Sequence, residues 1–186
     1  MMSAPDGVRA VLAFWFSPET RDRWFEASEA FDSEVRGALG PWHDAAVGGR
    51  LETWRQSADG CLALCILLDQ VPRNIFRGTP RAYATDGQAR DVARHAVERG
   101  FDLAFEDADR RMFLYLPFEH SEDLADQELC MALCRERIDD PGYLRYAERH
   151  RDIIARFGRF PHRNAILARA STPEEVAFLG EPFSSF

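Results

Sequence analysis

The stretch Ser57-Ala-Asp-Gly-Cys-Leu-Ala-Leu-Cys-Ile-Leu-Leu-Asp-Gln-Val-Pro72 decides the fold class. From Cys61 to Leu68 it is apolar without a break, which suits a buried strand or a buried helix. Only Ile66 in that run is β-branched, and Leu, Ala and Cys fill the rest, so helix is the better reading. Ser57 opens the helix and Pro72 ends it. A helix apolar on every side belongs at the centre of a domain. Its polar residues, Asp69 and Gln70, come only at the C-terminal end.

The flanking sequence repeats the helical pattern. Val8 to Phe16 reads as a short apolar helix stopped by Ser17-Pro18. Ser28 caps a helix with Phe31, Val35, Ala38 and Leu39 on one face, expected to stop at Gly40-Pro41. A brief turn from Trp42 to Val47 comes next, with a break at Gly48-Gly49. Ala89, Val92, Ala93, Ala96 and Val97 mark an amphipathic helix ended by Gly100. Arg110 to Leu116 is apolar and aromatic and is cut by Pro117. Ser121 begins a helix to about Arg137, and Asp140-Pro141 opens another that lasts to Gly158. Thr172-Pro-Glu-Glu175 fits a capping box. No segment alternates with period two. The expectation is an all-α, single-domain array of antiparallel helix pairs over residues 1–186, with 181–186 a flexible tail.

Composition narrows the chemistry. The chain has 186 residues, 46% of them hydrophobic, so one sizeable core is expected. All 23 basic residues are Arg, which rules out a lysine Schiff base and a phosphate-loop lysine. The net charge of −8 argues against nucleic acid or an anionic membrane as partner. No secretory signal or membrane span is visible, so a cytoplasmic protein is expected. The pairs Cys61/Cys65 and Cys130/Cys134 sit one helical turn apart in apolar segments, as buried reduced thiols would. Trp15, Trp24, Trp42 and Trp54 crowd the first third as core, while His43 and His95 read as solvated surface residues.

The helix beginning at Ser121 mirrors the central one, with Glu122, Asp123, Asp126 and Gln127 in its first turns and an apolar run from Leu129 to Cys134. If the two lie antiparallel, their polar ends meet. Arg73, Asn74 and Arg77 then join Asp69 and Gln70 on one side, with Glu119 and His120 on the other. Arg159, Arg163 and Asn164 sit in a second proline-broken Arg-Asn loop. A structural network of Arg and carboxylates is one account, since buried charges need partners. A pocket for an anionic small molecule or an acidic peptide end is the other, held by Arg73, Arg77 and Arg163 with Glu122, Asp123 and Asn74 fixing the forks. A hydrolase using His120 or His150 beside Glu122 or Asp123, with or without a metal, is one alternative, and a structural protein-interaction domain that uses the aromatic N-terminal third around Trp15 and Trp24 as its contact surface is another. The spacing HSEDLAD is not a metal signature, and neither metal nor other cofactor is expected.

Four segments carry a resemblance: VLAFWFSPETRDRWF from Val11, LLDQVPRNIFRGTPRAYATD from Leu67, LYLPFEHSEDLADQE from Leu114 and YAERHRDIIARFGRFPHRNAIL from Tyr146. The chain resembles domain-of-unknown-function family 924, an uncharacterised bacterial family, over nearly its whole length. The resemblance implies an all-helical fold similar to tetratricopeptide-repeat proteins and brings no established activity. Its motif positions fall here on Asp69, Gln70, Arg73, Asn74, Arg77, His120, Glu122, Asp123, His150, Arg151, Arg159, His162, Arg163 and Asn164.

Overall fold

Every residue from Cys61 to Val71 is buried in the computed structural model, which describes residues 4–185. The helices in chain order are α1 (Ala4–Trp15), α2 (Pro18–Arg21), α3 (Glu29–Val47), α4 (Ala58–Cys65), α5 (Val71–Ile75), α6 (Asp86–Glu98), α7 (Ala108–Glu119), α8 (Leu124–Arg137), α9 (Pro141–Phe157) and α10 (Pro173–Leu179). A π-helical turn, Ile66–Gln70, joins α4 to α5. Among the described residues there is no strand, and the fold is all-α. No helix among them is long and apolar enough to cross a membrane.

Local chemistry sets most of the boundaries. Ser28, Ser57, Asp140 and Thr172 each cap their helix through the side chain, and Glu175 completes the capping box with Thr172. Gly158 ends α9 in the left-handed conformation. Gly60 has a different necessity. A Cβ there would stand 1.9 Å from the carbonyl oxygen of Trp54, so only glycine lets α4 start against the preceding 3-10 turn.

Three helical runs go further than expected, and the central one passes through Pro72 into α5 as far as Ile75. Pro41 lies inside α3 and Pro117 inside α7. Proline removes one backbone hydrogen bond. At Pro41 the orphaned carbonyl belongs to Gly37, which is exposed and can turn to water. Pro117 stands in the last turn of α7, where few bonds remain to lose. Packing of Phe31, Val35, Leu39, His43 and Ala46 carries α3 through the proline, although Ala38 is exposed.

The centre matches the expected plan. Trp15 and Trp24 meet Phe113 edge to face at 5.6 and 4.7 Å, and all four cysteines are free and buried. His43 departs from it. The ring is buried and its Nδ1 donates to the carbonyl oxygen of Leu67 at 2.8 Å. The cause is the π turn: Val71 N–H reaches back five residues to Ile66, and Pro72 has no N–H to offer Leu67. Side chains take over, with Thr85 Oγ1 on the Leu68 carbonyl at 2.5 Å and Arg73 Nη1 on that of Asp69 at 2.6 Å. His95 is half-buried, its Nε2 3.0 Å from the Arg55 carbonyl.

Contacts at helix ends fix the directions. Arg110 near the start of α7 approaches Asp59 near the start of α4 at 3.4 Å, and His120 after α7 meets Asp69 at 2.9 Å. These two elements are therefore parallel. Asp86, the first residue of α6, meets Arg73, while His95 near its other end meets Arg55, so α6 runs back. The short link at 120–123 turns α8 back against α7, and that at 138–140 turns α9 against α8. The segments 57–70 and 121–137 are thus antiparallel as expected, but α7 stands between them and packs on both. One end of the bundle gathers the C-terminal ends of α5 and α7, the N-terminal ends of α6 and α8, and the chain just beyond α9.

The expected tail is held where it is described. Arg149 donates to the carbonyls of Pro182 and Phe183 at 3.1 Å, and the Ser184 hydroxyl to that of Leu179. Residue 186, the last of that tail, lies outside the described residues.

Candidate functional site

The π turn places Asp69 with 1% of its side chain exposed, where an ionised carboxylate requires partners. It has three. Gln70 Nε2 donates at 2.6 Å, Arg73 Nη1 lies at 3.1 Å, and His120 Nδ1 lies 2.9 Å from both carboxylate oxygens. Burial alone pushes this carboxyl up, but Arg73 and His120 outweigh it and hold Asp69 well below the usual range. An ionised carboxylate only accepts, so His120 carries its proton on Nδ1 and keeps the Nε2 lone pair on the far edge of the ring. Burial and then Arg73 lower the His120 pKa against the pull of Asp69, so the ring is neutral at pH 7.

His120 closes α7 as its C-cap. Gln127 of α8 locks that turn, its Nε2 donating to the carbonyls of Glu119 and Ser121 at 2.6 and 2.7 Å. Behind it, Glu119 and His150 are buried, with His150 Nδ1 3.2 Å from Glu119 Oε1 and 2.9 Å from the Tyr146 carbonyl. Burial pushes Glu119 up to about 8 and His150 down to about 3, so both lean to the neutral form.

Arg73 grips Asp86 through two parallel bonds of 2.9 and 3.0 Å. Arg163 approaches the same carboxylate only at 3.5 Å and lies over the rings of Tyr83 and Phe160, at 4.7 and 4.4 Å. Its side chain is 7% exposed, and its buried Nε has no partner. Burial and then Arg73 lower its pKa to about 10.

A cleft of about 280 Å³ opens over these groups, just under the roughly 300–1,000 Å³ of ordinary small-molecule sites. Tyr83, Asp86, Arg90, His120, Glu122 and Arg163 supply its polar lining. Pro80, Ala84 and Leu167 supply the apolar part. Around it the ion pairs join five cations (Arg73, Arg90, Arg94, Arg163, Arg169) to four anions (Asp69, Asp86, Glu122, Asp126), so positive charge is in excess. Among the described residues no group of three His, Cys, Asp or Glu side chains is arranged to hold a metal ion.

The family model described as bacterial protein of unknown function, DUF924, matches residues 11–182. The chain belongs to this family. A solved structure, described as a protein of unknown function, ATU0120, from Agrobacterium tumefaciens, is similar at 44% identity with a TM-score of 0.90. The similarity covers 96% of this chain and 99% of that one. No curated protein matches to significance. The DUF924 resemblance read from the four sequence segments is thereby established, and it brings no activity with it.

The polar residues singled out in the sequence divide into separate groups in this DUF924 chain. Asp69, Gln70, Arg73, His120, His150 and Arg163 come together at the cleft and behind it. Glu122 also lines the cleft, but its carboxylate is held by Arg169 at 2.7 and 2.9 Å and by the Phe160 N–H at 2.8 Å. Asn74 and Arg77 turn away to Asp32, at 2.8 and 2.7 Å. Arg159 and Asn164 converge on Glu175 instead. Asp123 does not fix an Arg fork. It is the N-cap of α8 and accepts from Ala125 N–H at 2.9 Å. Sequence reading missed Asp86, Tyr83 and Arg90. A carboxylate at the start of a helix reads as a dipole partner, and the one signal available was the position of Tyr83 and Asp86 in the segment after Pro80.

Proposed function

We propose that the cleft binds a small anionic molecule and that Arg163 takes its phosphate or carboxylate group. The support is the condition of Arg163. Its guanidinium is buried, donates no hydrogen bond to a described residue, and shares a carboxylate that Arg73 already grips. A buried charge so poorly compensated is costly unless a ligand completes it. Arg90 adds a second guanidinium to the lining. Arg77, held by Asp32 elsewhere, is the natural control.

Calorimetric titration with sulfate and with acetate tests this. The wild-type protein is expected to give a saturable isotherm with one of them. Arg163→Met should weaken it at least about tenfold, the equivalent of about 1.4 kcal/mol, while Arg77→Met leaves it unchanged. The melting temperature of Arg163→Met should hold or rise, because a poorly paired buried charge is gone. A collapse in melting temperature with binding intact would assign Arg163 to the structural network instead.

A second reading, an enzyme in which His120 transfers a proton, draws on the Asp69–His120 pair, since a carboxylate-oriented imidazole with a free lone pair at a cleft is a general base by construction. His150 is the weaker candidate, its Nδ1 being shared between Glu119 and the Tyr146 carbonyl in the interior. Turnover of simple esters or phosphoesters that His120→Gln abolishes would favour the enzyme; equal background rates in both proteins would retire it.

A further inference from the structure

His120 and Arg163 line the same small cleft, and each answers differently to a bound anion. Arg163 is charged in either case. His120 is not: as a neutral ring it offers Nε2 only as an acceptor, which repels an anionic oxygen. As an imidazolium it donates from both nitrogens, Nδ1 to Asp69 and Nε2 to the cleft. We propose that the site takes up its anion together with a proton, with His120 becoming the second donor to the ligand that Arg163 holds. The ligand class is therefore an anion with acceptor oxygens and no need to be deprotonated by the site. This rests on the anion reading given above.

The surroundings of His120 support the coupling. The π turn presents Asp69, α5 presents Arg73, and α6 presents Asp86 and Arg90. On its own helix and the adjoining link stand Glu119 and Glu122, and from α9 and beyond come His150, His162 and Arg163. Tyr83 faces the cleft from the turn at Pro80–Tyr83. Burial first, and then Arg73 and Arg163, are what disfavour the imidazolium, while Asp69 favours it. An anion beside Arg163 offsets the repulsion from that side. The pKa of His120 must then rise on binding, and by linkage the anion must bind more tightly as pH falls.

Sulfate is the probe, because it stays a dianion from pH 5 to 8 and cannot itself supply the proton. Titrations at pH 6.5 in bis-Tris and in imidazole, which differ in ionisation heat, count the protons. Wild-type protein should take up a substantial fraction of one proton per sulfate, and its affinity should rise with falling pH by up to about tenfold per unit. His120→Gln should still bind, with no proton uptake and an affinity flat in pH. Imidazole resonances of the wild-type protein followed by NMR check the same point without a substitution: the His120 midpoint should move to higher pH when sulfate is added. Sulfate binding with no proton uptake, or uptake that survives in His120→Gln, would overturn the coupling and leave the anion site standing. If acetate binds and sulfate does not, the same two-buffer count on acetate, which is ionised at pH 6.5, decides the coupling; binding of neither at any pH would remove the anion site itself.

Discussion

His43 Nδ1 lies 2.8 Å from the carbonyl oxygen of Leu67, in a contact that spans 24 residues and is wholly buried. The bond answers a vacancy in the backbone ladder made by the π turn and Pro72. His43→Leu keeps the volume and leaves that carbonyl unsatisfied. A loss of about 1–3 kcal/mol is expected, read from denaturant unfolding. His43→Gln, which can still donate, should recover part of it.

Arg73 and Arg163 meet the same Asp86 carboxylate and should behave in opposite ways. Arg73 serves Asp69 and Asp86 at once, so Arg73→Met strands two buried carboxylates. About 3–5 kcal/mol should be lost, the range for breaking a buried pair. The melting temperatures of the two Arg→Met variants, compared side by side, give the answer.

The buried titrating groups set a stability maximum near pH 6.5. His150 and His162 have folded pKa values of about 3 and 4, both lowered chiefly by burial, so below 6.5 the unfolded chain binds protons that the native one refuses. Stability therefore falls on acidification from 6.5. Glu119 works the other way: raised to about 8, it keeps its proton in the native state after the unfolded carboxyl has lost it. Its contribution is full below pH 4.5 and is lost as pH climbs to 8. Between 4.5 and 6.5 the two histidines outweigh it; above 6.5 it acts alone, at about 1.4 kcal/mol per pH unit for one proton. Unfolding from pH 4.5 to 9 should show both limbs, and Glu119→Gln should flatten the alkaline one and steepen the acid one, which Glu119 no longer opposes.

Helix starts were legible because a cap is a local bargain between a side chain and the next turn. Ser28, Ser57, Asp140 and Thr172 all cap where the sequence places them, whereas α8 starts at Leu124 with Asp123, not Ser121, as its cap. Pro41 and Pro117 misled because the packed faces of α3 and α7 outweigh one lost bond each. His43 misled because its partner exists only once a distant helix widens. The gathering of Asp69, Arg73 and His120 was legible from where polar residues interrupt apolar runs. How 23 arginines divide among the carboxylates was not, since Asp32, Asp86 and Glu175 select theirs through tertiary geometry.

The wide turn at Ile66–Gln70 is one residue of slack wound into the central rod. Removing a single leucine there would take up that slack and restore the regular pitch, leaving the two halves of the rod near their present phase. The extra residue is thus spent locally: it carries Asp69 into the interior without disturbing how either half packs, and a change of one residue in the central rod reaches the cleft through that carboxylate.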